Sequence, residues 1–295
     1  MRALSPGIRR IRVDSPAVRL GPRHRRMFLR AMLTLRIRGA VAQLVAHLHG
    51  MEGVRGSSPL SSTIFRWGAA MDEHSTFSPR HVLIVGAGPG IGTSFARVAL
   101  GFGAQVTLSA RSASKLEQLT SELAGEGPVI DSVVADAADP EALRESISNY
   151  AMTCNVPIDC ALFNVSTWVP GGLDSDLDGI TDGLKAGVVS ALAMAQAVIP
   201  RMRELSSSRI FFTGGGTADS PMTASFGLGL QKSALRNLAV ALDKDLAETS
   251  IRVRTLTIRG SIAPGTDFDP DLIAKALWSS ADERGVEKEF TGAGN

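Results

Sequence analysis

A short apolar run that breaks into glycines constrains this chain more than any other stretch. It reads His81-Val82-Leu83-Ile84-Val85-Gly86-Ala87-Gly88-Pro89-Gly90-Ile91-Gly92, and an alanine-rich helical pattern from Phe95 to Phe102 follows directly. Strand, glycine turn and helix in immediate succession bring free backbone N–H groups and the positive end of a helix dipole to one point. That arrangement suits a phosphate and predicts a dinucleotide site. A glycine turn without a ligand is the plainer alternative, and the rest of the chain bears on the choice.

Downstream, short β-rich runs alternate with longer helical patterns. Strands are expected at His81–Val85, Gln105–Ala110, Val129–Ala135, Ile158–Asn164, Arg209–Thr213 and Ile251–Ile258, with Val286–Phe290 as a last edge strand. Helices are expected at Ile91–Phe102 and around the Leu116, Leu119, Leu123 stripe. A third opens at Asp139-Pro140-Glu141, with an N-cap followed by proline at the first helical position. Longer ones follow from about Asp182 to Met202 and over Ser225–Glu248, then a short one over Pro270–Ser279. Near-continuous apolar strands alternating with helices imply an α/β fold, a single doubly wound parallel sheet of the Rossmann type. Ligands of such sheets bind beyond the C-terminal ends of the strands, where the glycine loop lies.

The net charge of +2 conceals an asymmetry. Residues 1–70 hold thirteen Arg, no Lys and only Asp14 and Glu52 as acids, a balance of +11 that leaves −9 for residues 71–295. These arginines interrupt every apolar segment that would serve as a signal peptide. A transit peptide and a nucleic-acid-binding arm are two readings of such a head. A third rests on Val41-Ala42-Gln43-Leu44-Val45 and Gly56-Ser57-Ser58-Pro59-Leu60-Ser61-Ser62-Thr63, which resemble the D-arm and T-arm of a translated transfer-RNA gene. On that reading Met71 is the true initiator, residues 1–70 are a disordered or artefactual extension, and residues 71–295 form the domain. No nucleic-acid partner is then expected.

Cys154 and Cys160 are too few for a disulfide framework and lack the spacing of a zinc site, which points to a reducing, cytoplasmic setting. His24, His47, His49 and His74 precede the loop and His81 opens its strand, so no histidine-built metal site is expected. No apolar run crosses a bilayer's thickness without charges, and no membrane partner is expected.

The glycines Gly86, Gly90 and Gly92 follow the spacing G-x-x-x-G-x-G. With the alternating βα units, this resembles the short-chain dehydrogenase/reductase family from about residue 80 to 292. The resemblance implies that Gly86, Gly90, Ile91 and Gly92 hold a dinucleotide pyrophosphate. Asp136, past the third strand, would touch the adenine. Asn164 ends the fourth strand as Phe163-Asn164-Val165-Ser166, where relatives carry Asn-Asn-Ala-Gly. Gly260-Ser261-Ile262 matches the loop that contacts the carboxamide, with Ile262 as the contact and Arg259 where a proline is usual. The second strand ends Leu108-Ser109-Ala110-Arg111, and an arginine there suits a 2′-phosphate, so NADP is preferred over NAD. An arginine that merely opens a helix is the alternative.

Family members usually act through Tyr-x-x-x-Lys, a serine after the fifth strand and an asparagine in the preceding helix, the lysine lowering the tyrosine pKa. Here Lys232 is present, but Leu228, Gly215 and Gly187 stand at the other three positions, and the one tyrosine is Tyr150. Lys232 falls on the apolar stripe Leu228, Lys232, Leu235, Ala239, Leu242. It is expected to bond the nicotinamide ribose as the catalytic-site lysine, with snorkelling to the surface as the alternative. Thr213, Thr217, Thr223, Ser225 or a water are candidate relays without an evident pKa-lowering neighbour. The expected function is an NADP-dependent oxidoreductase with an atypical proton donor, acting on a small carbonyl or alcohol. A non-catalytic dinucleotide-binding protein, such as a redox sensor or regulatory subunit, is the alternative. The two long helices imply a homodimer or homotetramer, and Trp168 with the Asp-rich loop at 174–182 is expected to line or cover the mouth.

Overall fold

The computed structural model describes residues 77–128 and 130–293, all within the unit Ile64–Asn295. The readings of residues 1–70 and of Met71 as initiator, and the placement of Val129 in a strand, lie outside the described residues.

Seven parallel strands form one sheet in the order β3-β2-β1-β4-β5-β6-β7. They are β1 (His81–Val85), β2 (Gln105–Ala110), β3 (Ile130–Val134), β4 (Cys160–Phe163), β5 (Ser208–Gly215), β6 (Ile251–Ile258) and β7 (Glu287–Phe290). The helices are α1 (Ile91–Gly101), α2 (Ala113–Leu123), α3 (Pro140–Thr153), α4 (Leu177–Leu184), α5 (Ser190–Met202), α6 (Phe226–Asp245) and α7 (Pro270–Ser279). The chain order reverses between β1 and β4, which opens a crevice above their C-terminal ends.

Alternation along the strands sorts the core into two layers. Val82 and Ile84 of β1 pack with Phe95 and Leu100 of α1, Leu116 of α2, and Ile273 and Leu277 of α7. Leu83 and Val85 face the other way, onto Leu143 and Ile147 of α3, Met194 and Val198 of α5 and Leu235 of α6. Each such side chain contributes about 1.5–3 kcal/mol on burial, so both faces must be covered for the sheet to persist. Trp278 closes the first layer, stacked on Phe102 at a centroid distance of 5.0 Å.

Local signals place most element ends. Ser112 caps α2 by accepting from Lys115 N, Asp139 caps α3 by accepting from Ala142 N, and Ser225 caps α6 by accepting from Leu228 N. Other expectations need correction. β4 is shorter than Ile158–Asn164, and β5 runs longer than Arg209–Thr213 because its last residues pair with β6. The helix expected from Asp182 begins at Leu177, capped by Asp176, and its middle is a π turn over Lys185–Val189 that leads into α5. β3 is not a continuous apolar strand: Asp131 and Ser132 are exposed at a sheet edge. The stretch Leu177–Met202 is long and apolar enough by composition to cross a membrane, yet 56% of its most apolar window is buried within the fold.

Candidate functional site

Two cavities meet above the C-terminal ends of the central strands. The first, of about 580 Å³, is walled by Gly86–Pro89, the β2 tip with Arg111, Ser112 and Lys115, and the 135–138 turn. The second, of about 630 Å³, lies between the ends of β5 and β6 and the start of α6. Asn164, Ser166 and Trp168 line both, so the two form one groove with a shared wall.

The glycine loop is held by contacts that leave no room for a side chain at one position. Gly86 has φ +84°, and a Cβ there would sit 2.5 Å from the Asn164 carbonyl oxygen and 2.8 Å from Val165 Cγ2. The Gly86 and Ala87 N–H groups both donate to Ser109 O at 3.0 Å, and Asn164 Nδ2 donates to Gly86 O at 3.3 Å. These bonds lash the ends of β1, β2 and β4 together. Helix α1 then starts from Gly90 (φ 111°) with no side-chain cap and no acid in its first turn. Most helices satisfy those amides internally with a cap. Here Thr93 N turns back to Gly88 O at 3.2 Å, and the helix start, with its positive dipole end and no side-chain cap, opens beside the first cavity.

Among the expected cofactor residues, Gly86, Arg111, Asp136 and Asn164 line the first cavity, and Ile91, Asn164, Lys232 and Ile262 line the second. Gly90 and Gly92 shape the loop without lining either one; a Cβ on Gly92 would lie 3.1 Å from Gly86 O. Asp136 also shapes its own turn, its Oδ1 accepting from Ala138 N at 3.0 Å. Lys115 was not signalled by sequence. It sits one turn into α2 on the cavity side, beside Arg111 and the Ser112 hydroxyl.

In the second cavity Leu228, Gly215 and Lys232 come together. Lys232 is 8% exposed and so does not snorkel. Its Nζ donates to Thr213 O at 2.8 Å, and burial alone pulls its pKa down from 10.5 to about 8. The lysine stem lies along Gly215, where a Cβ would meet Lys232 Cγ at an ordinary 3.4 Å. Arg259 is the other cation on this wall. It is fixed by a paired contact to Asp219 at 2.9 Å and by Glu289, and these carboxylates hold its proton more tightly still.

The hydroxyl candidates divide. Ser225 Oγ donates to Val169 O at 2.5 Å and caps α6, so it is committed to structure. Thr217 Oγ1 is buried without a partner, and Thr223 is exposed. Tyr150 is absent from both cavity walls. Its hydroxyl bonds Thr107 at 2.7 Å and Asp131 at 3.0 Å, and burial pushes its pKa up to about 12. Gly187 does not join the cavity either; it faces Gln231.

Comparison with known proteins agrees with this architecture. A family model described as short chain dehydrogenase matches residues 80–267. A subunit of (2S)-[(R)-hydroxy(phenyl)methyl]succinyl-CoA dehydrogenase from Thauera aromatica is 27% identical over 183 residues, 60% of this chain and 70% of that protein. Sepiapterin reductase from Chlorobaculum tepidum is 25% identical over 69% of this chain and 82% of its own length. The chain spans only 40% of a matching PIGF/3-ketodihydrosphingosine reductase fusion protein from Schizosaccharomyces pombe, at 25% identity over 65% of its own residues. In structure, it resembles the NADPH-bound short chain oxidoreductase from Pseudomonas aeruginosa PAO1 containing an atypical catalytic center. That likeness has a TM-score of 0.66 at 17% identity, over 73% of this chain and 96% of the other.

Proposed function

The chain belongs to the short-chain dehydrogenase family, and we propose that it is an NADP(H)-dependent oxidoreductase acting on a carbonyl or alcohol with an unusual proton donor. One observation supports the reading: the groove walled by the glycine loop, Arg111 and Asp136 opens into a cavity that no tyrosine lines and that holds the buried ammonium of Lys232. The glycine loop and the uncapped start of α1 would hold the pyrophosphate. Arg111, Ser112 and Lys115 would hold a 2′-phosphate, since a dianion benefits from two cations and a hydroxyl at a helix start. Asp136 would face the adenine, and Ile91, Asn164 and Ile262 the nicotinamide half.

The bound dinucleotide supplies the hydride. The protein's part is to exclude water, orient the two reactants and move one proton. Lys232 spends one N–H on Thr213 O. Its remaining two need acceptors in so buried a place; ribose hydroxyls and the substrate oxygen provide them. In the reducing direction the substrate oxygen takes its proton from Lys232 Nζ, and the amine regains one from solvent. A pKa near 8 suits exchange in both directions around neutral pH.

The test is a titration of the purified chain with NADPH, followed by nicotinamide fluorescence, and then a carbonyl panel monitored for NADPH oxidation. Binding with turnover is expected. Absence of binding overturns the reading, whereas binding without turnover on any carbonyl leaves a non-catalytic dinucleotide-binding protein. Arg111→Ala should weaken NADPH about 10–100-fold, the loss of a charged hydrogen-bond pair, and leave NADH unchanged. Equal losses for both would refute the phosphate role. Exposed Leu177, Val189, Phe226 and Leu230 on the α4–α6 side support self-association as a homodimer or homotetramer, and a monomer by light scattering would count against it.

A further inference from the structure

Gln231 is a polar side chain in an interior position, 1% exposed, one residue before Lys232. Its amide is fully engaged. Oε1 accepts from Thr167 N at 3.0 Å, while Nε2 donates to Thr167 O at 2.8 Å and to Gly227 O at 3.2 Å. The side chain thus grips both main-chain groups of one residue, as a neighbouring β-strand would. Thr167 lies between Ser166 and Trp168, and these two line both cavities.

The space around this amide is reserved for it. A Cβ on Gly187 would lie 2.6 Å from Gln231 Oε1, and one on Gly183 would lie 2.7 Å from Gln231 Nε2. Gly187 sits within the π turn and Gly183 one turn earlier in α4. Both glycines face the same amide, so the bare backbone of this helical stretch forms its seat. The next residues of the gripped segment are secured separately. Val169 packs where a Cβ on Gly227 would lie 2.8 Å from Val169 Cβ, and Val169 O accepts from Ser225 Oγ.

We propose that Gln231 is a positioning residue: it fixes the Ser166–Trp168 wall shared by the two cavities, and Gly183 and Gly187 are small so that it can. The expected effect on a bound dinucleotide rests on the oxidoreductase reading above. Through this wall Gln231 sets where the nicotinamide half lies relative to Lys232, without touching either reactant. An ordinary interior glutamine would need its hydrogen bonds satisfied, but nothing would require them to converge on one cavity-wall residue. Nor would it require two successive helical turns to give up their side chains.

The test uses the full chain with NADPH as probe and follows energy transfer from tryptophan to bound nicotinamide, the Trp168 share assigned by a Trp168→Phe control. Gln231→Leu keeps the volume and removes the grip. It should weaken NADPH about tenfold, which is ~1.4 kcal/mol, and lower the Trp168 transfer, while the protein still melts cooperatively. Gly187→Ala should do the same by displacing the amide. In a Gln231→Ala background, Gly187→Ala should then cost nothing further, because the group it displaces is gone. Additive effects of the two changes, or unaltered NADPH binding and transfer in Gln231→Leu, would overturn the proposal. If the wild-type chain takes up no NADPH, the oxidoreductase reading fails by itself. The grip then stands on hydrogen exchange of the free protein, where Gln231→Leu should accelerate the Thr167 amide selectively; unchanged exchange there overturns it.

Discussion

Gly86→Ala should be more damaging than a methyl at Gly90 or Gly88, and these three positions form a graded series. At Gly86 two costs combine. A left-handed backbone (φ +84°) costs an alanine about 1–2 kcal/mol, and a Cβ placed 2.5 Å from Asn164 O forces the β1 and β4 ends apart, about 1–3 kcal/mol more. Since Asn164 Nδ2 bonds Gly86 O, the displacement also strains that tie. The sum, about 2–5 kcal/mol, is a large share of a typical domain's stability. At Gly90 the backbone is equally unusual (φ +111°) but no atom lies within 4 Å, so Gly90→Ala should lose only the conformational part, about 1–3 kcal/mol. Gly88 has an ordinary φ and open space, so Gly88→Ala should be neutral in stability. Urea unfolding of the three variants gives the order directly, and NADPH titration shows whether a methyl at 88 blocks the groove while leaving the fold alone. Gly86→Ala as stable as Gly88→Ala would refute the steric argument.

Lys232 gives a pH prediction with a definite sign. Its pKa falls from 10.5 when unfolded to about 8 when folded, so between those values the unfolded chain holds the extra proton, and stability rises with pH across that window. Other groups titrate there too, so the measurement is the difference between wild type and Lys232→Met. The variant should be more stable at pH 7 and lose that advantage by about pH 10.5; a constant difference would show that the ammonium is not buried. A gain-of-function change offers a second check. Leu228→Tyr, paired with Gly215→Ser, sets a hydroxyl four residues before Lys232 and another beside its stem, and general-acid groups contribute about 10²–10⁴-fold. NADPH oxidation on simple aldehydes should rise in the double variant; no rise, with NADPH binding intact, would mean that the cavity does not present its substrate at these positions.

The strand and helix positions and the glycine turn were legible because they rest on short-range patterns. Apolar runs, caps such as Asp139-Pro140 and glycines with fixed spacing act over a few residues, and β2, β6 and α7 fall at the expected ends. The burial of Lys232 was also legible, because a lysine on an apolar stripe conflicts with its surroundings and asks for a partner, which here is Thr213 O. Gln231 was not. A glutamine on a helix reads as solvent-facing, and only the packing of α4 and its π turn against α6 encloses it. Sequence places Gly187 at the family's asparagine position and counts it as a loss. The structure shows that the space a side chain there would take is held by Gln231 from another helix. Lys115 escaped notice for a related reason, since one cation on an exposed helix turn looks like any other until β2's neighbour defines which side is the groove.

The ion pairs around Asp219 have a consequence of their own. Asp219 receives Arg259 from the end of β6 and Arg236 from α6, and Arg236 and Arg259 reach Glu287 and Glu289 on the edge strand β7. This half-exposed web links the segment after β5 to the end of β6 and to β7. Dissolved salt screens exposed charges over a Debye length of about 8–10 Å and weakens direct pairs such as these only in part, while it leaves backbone hydrogen bonds and close packing largely untouched. The groove is therefore built of two materials. Its first half is tied by backbone bonds and close-packed glycines, and its second half adds to the β5–β6 ladder a web of ion pairs that salt weakens modestly.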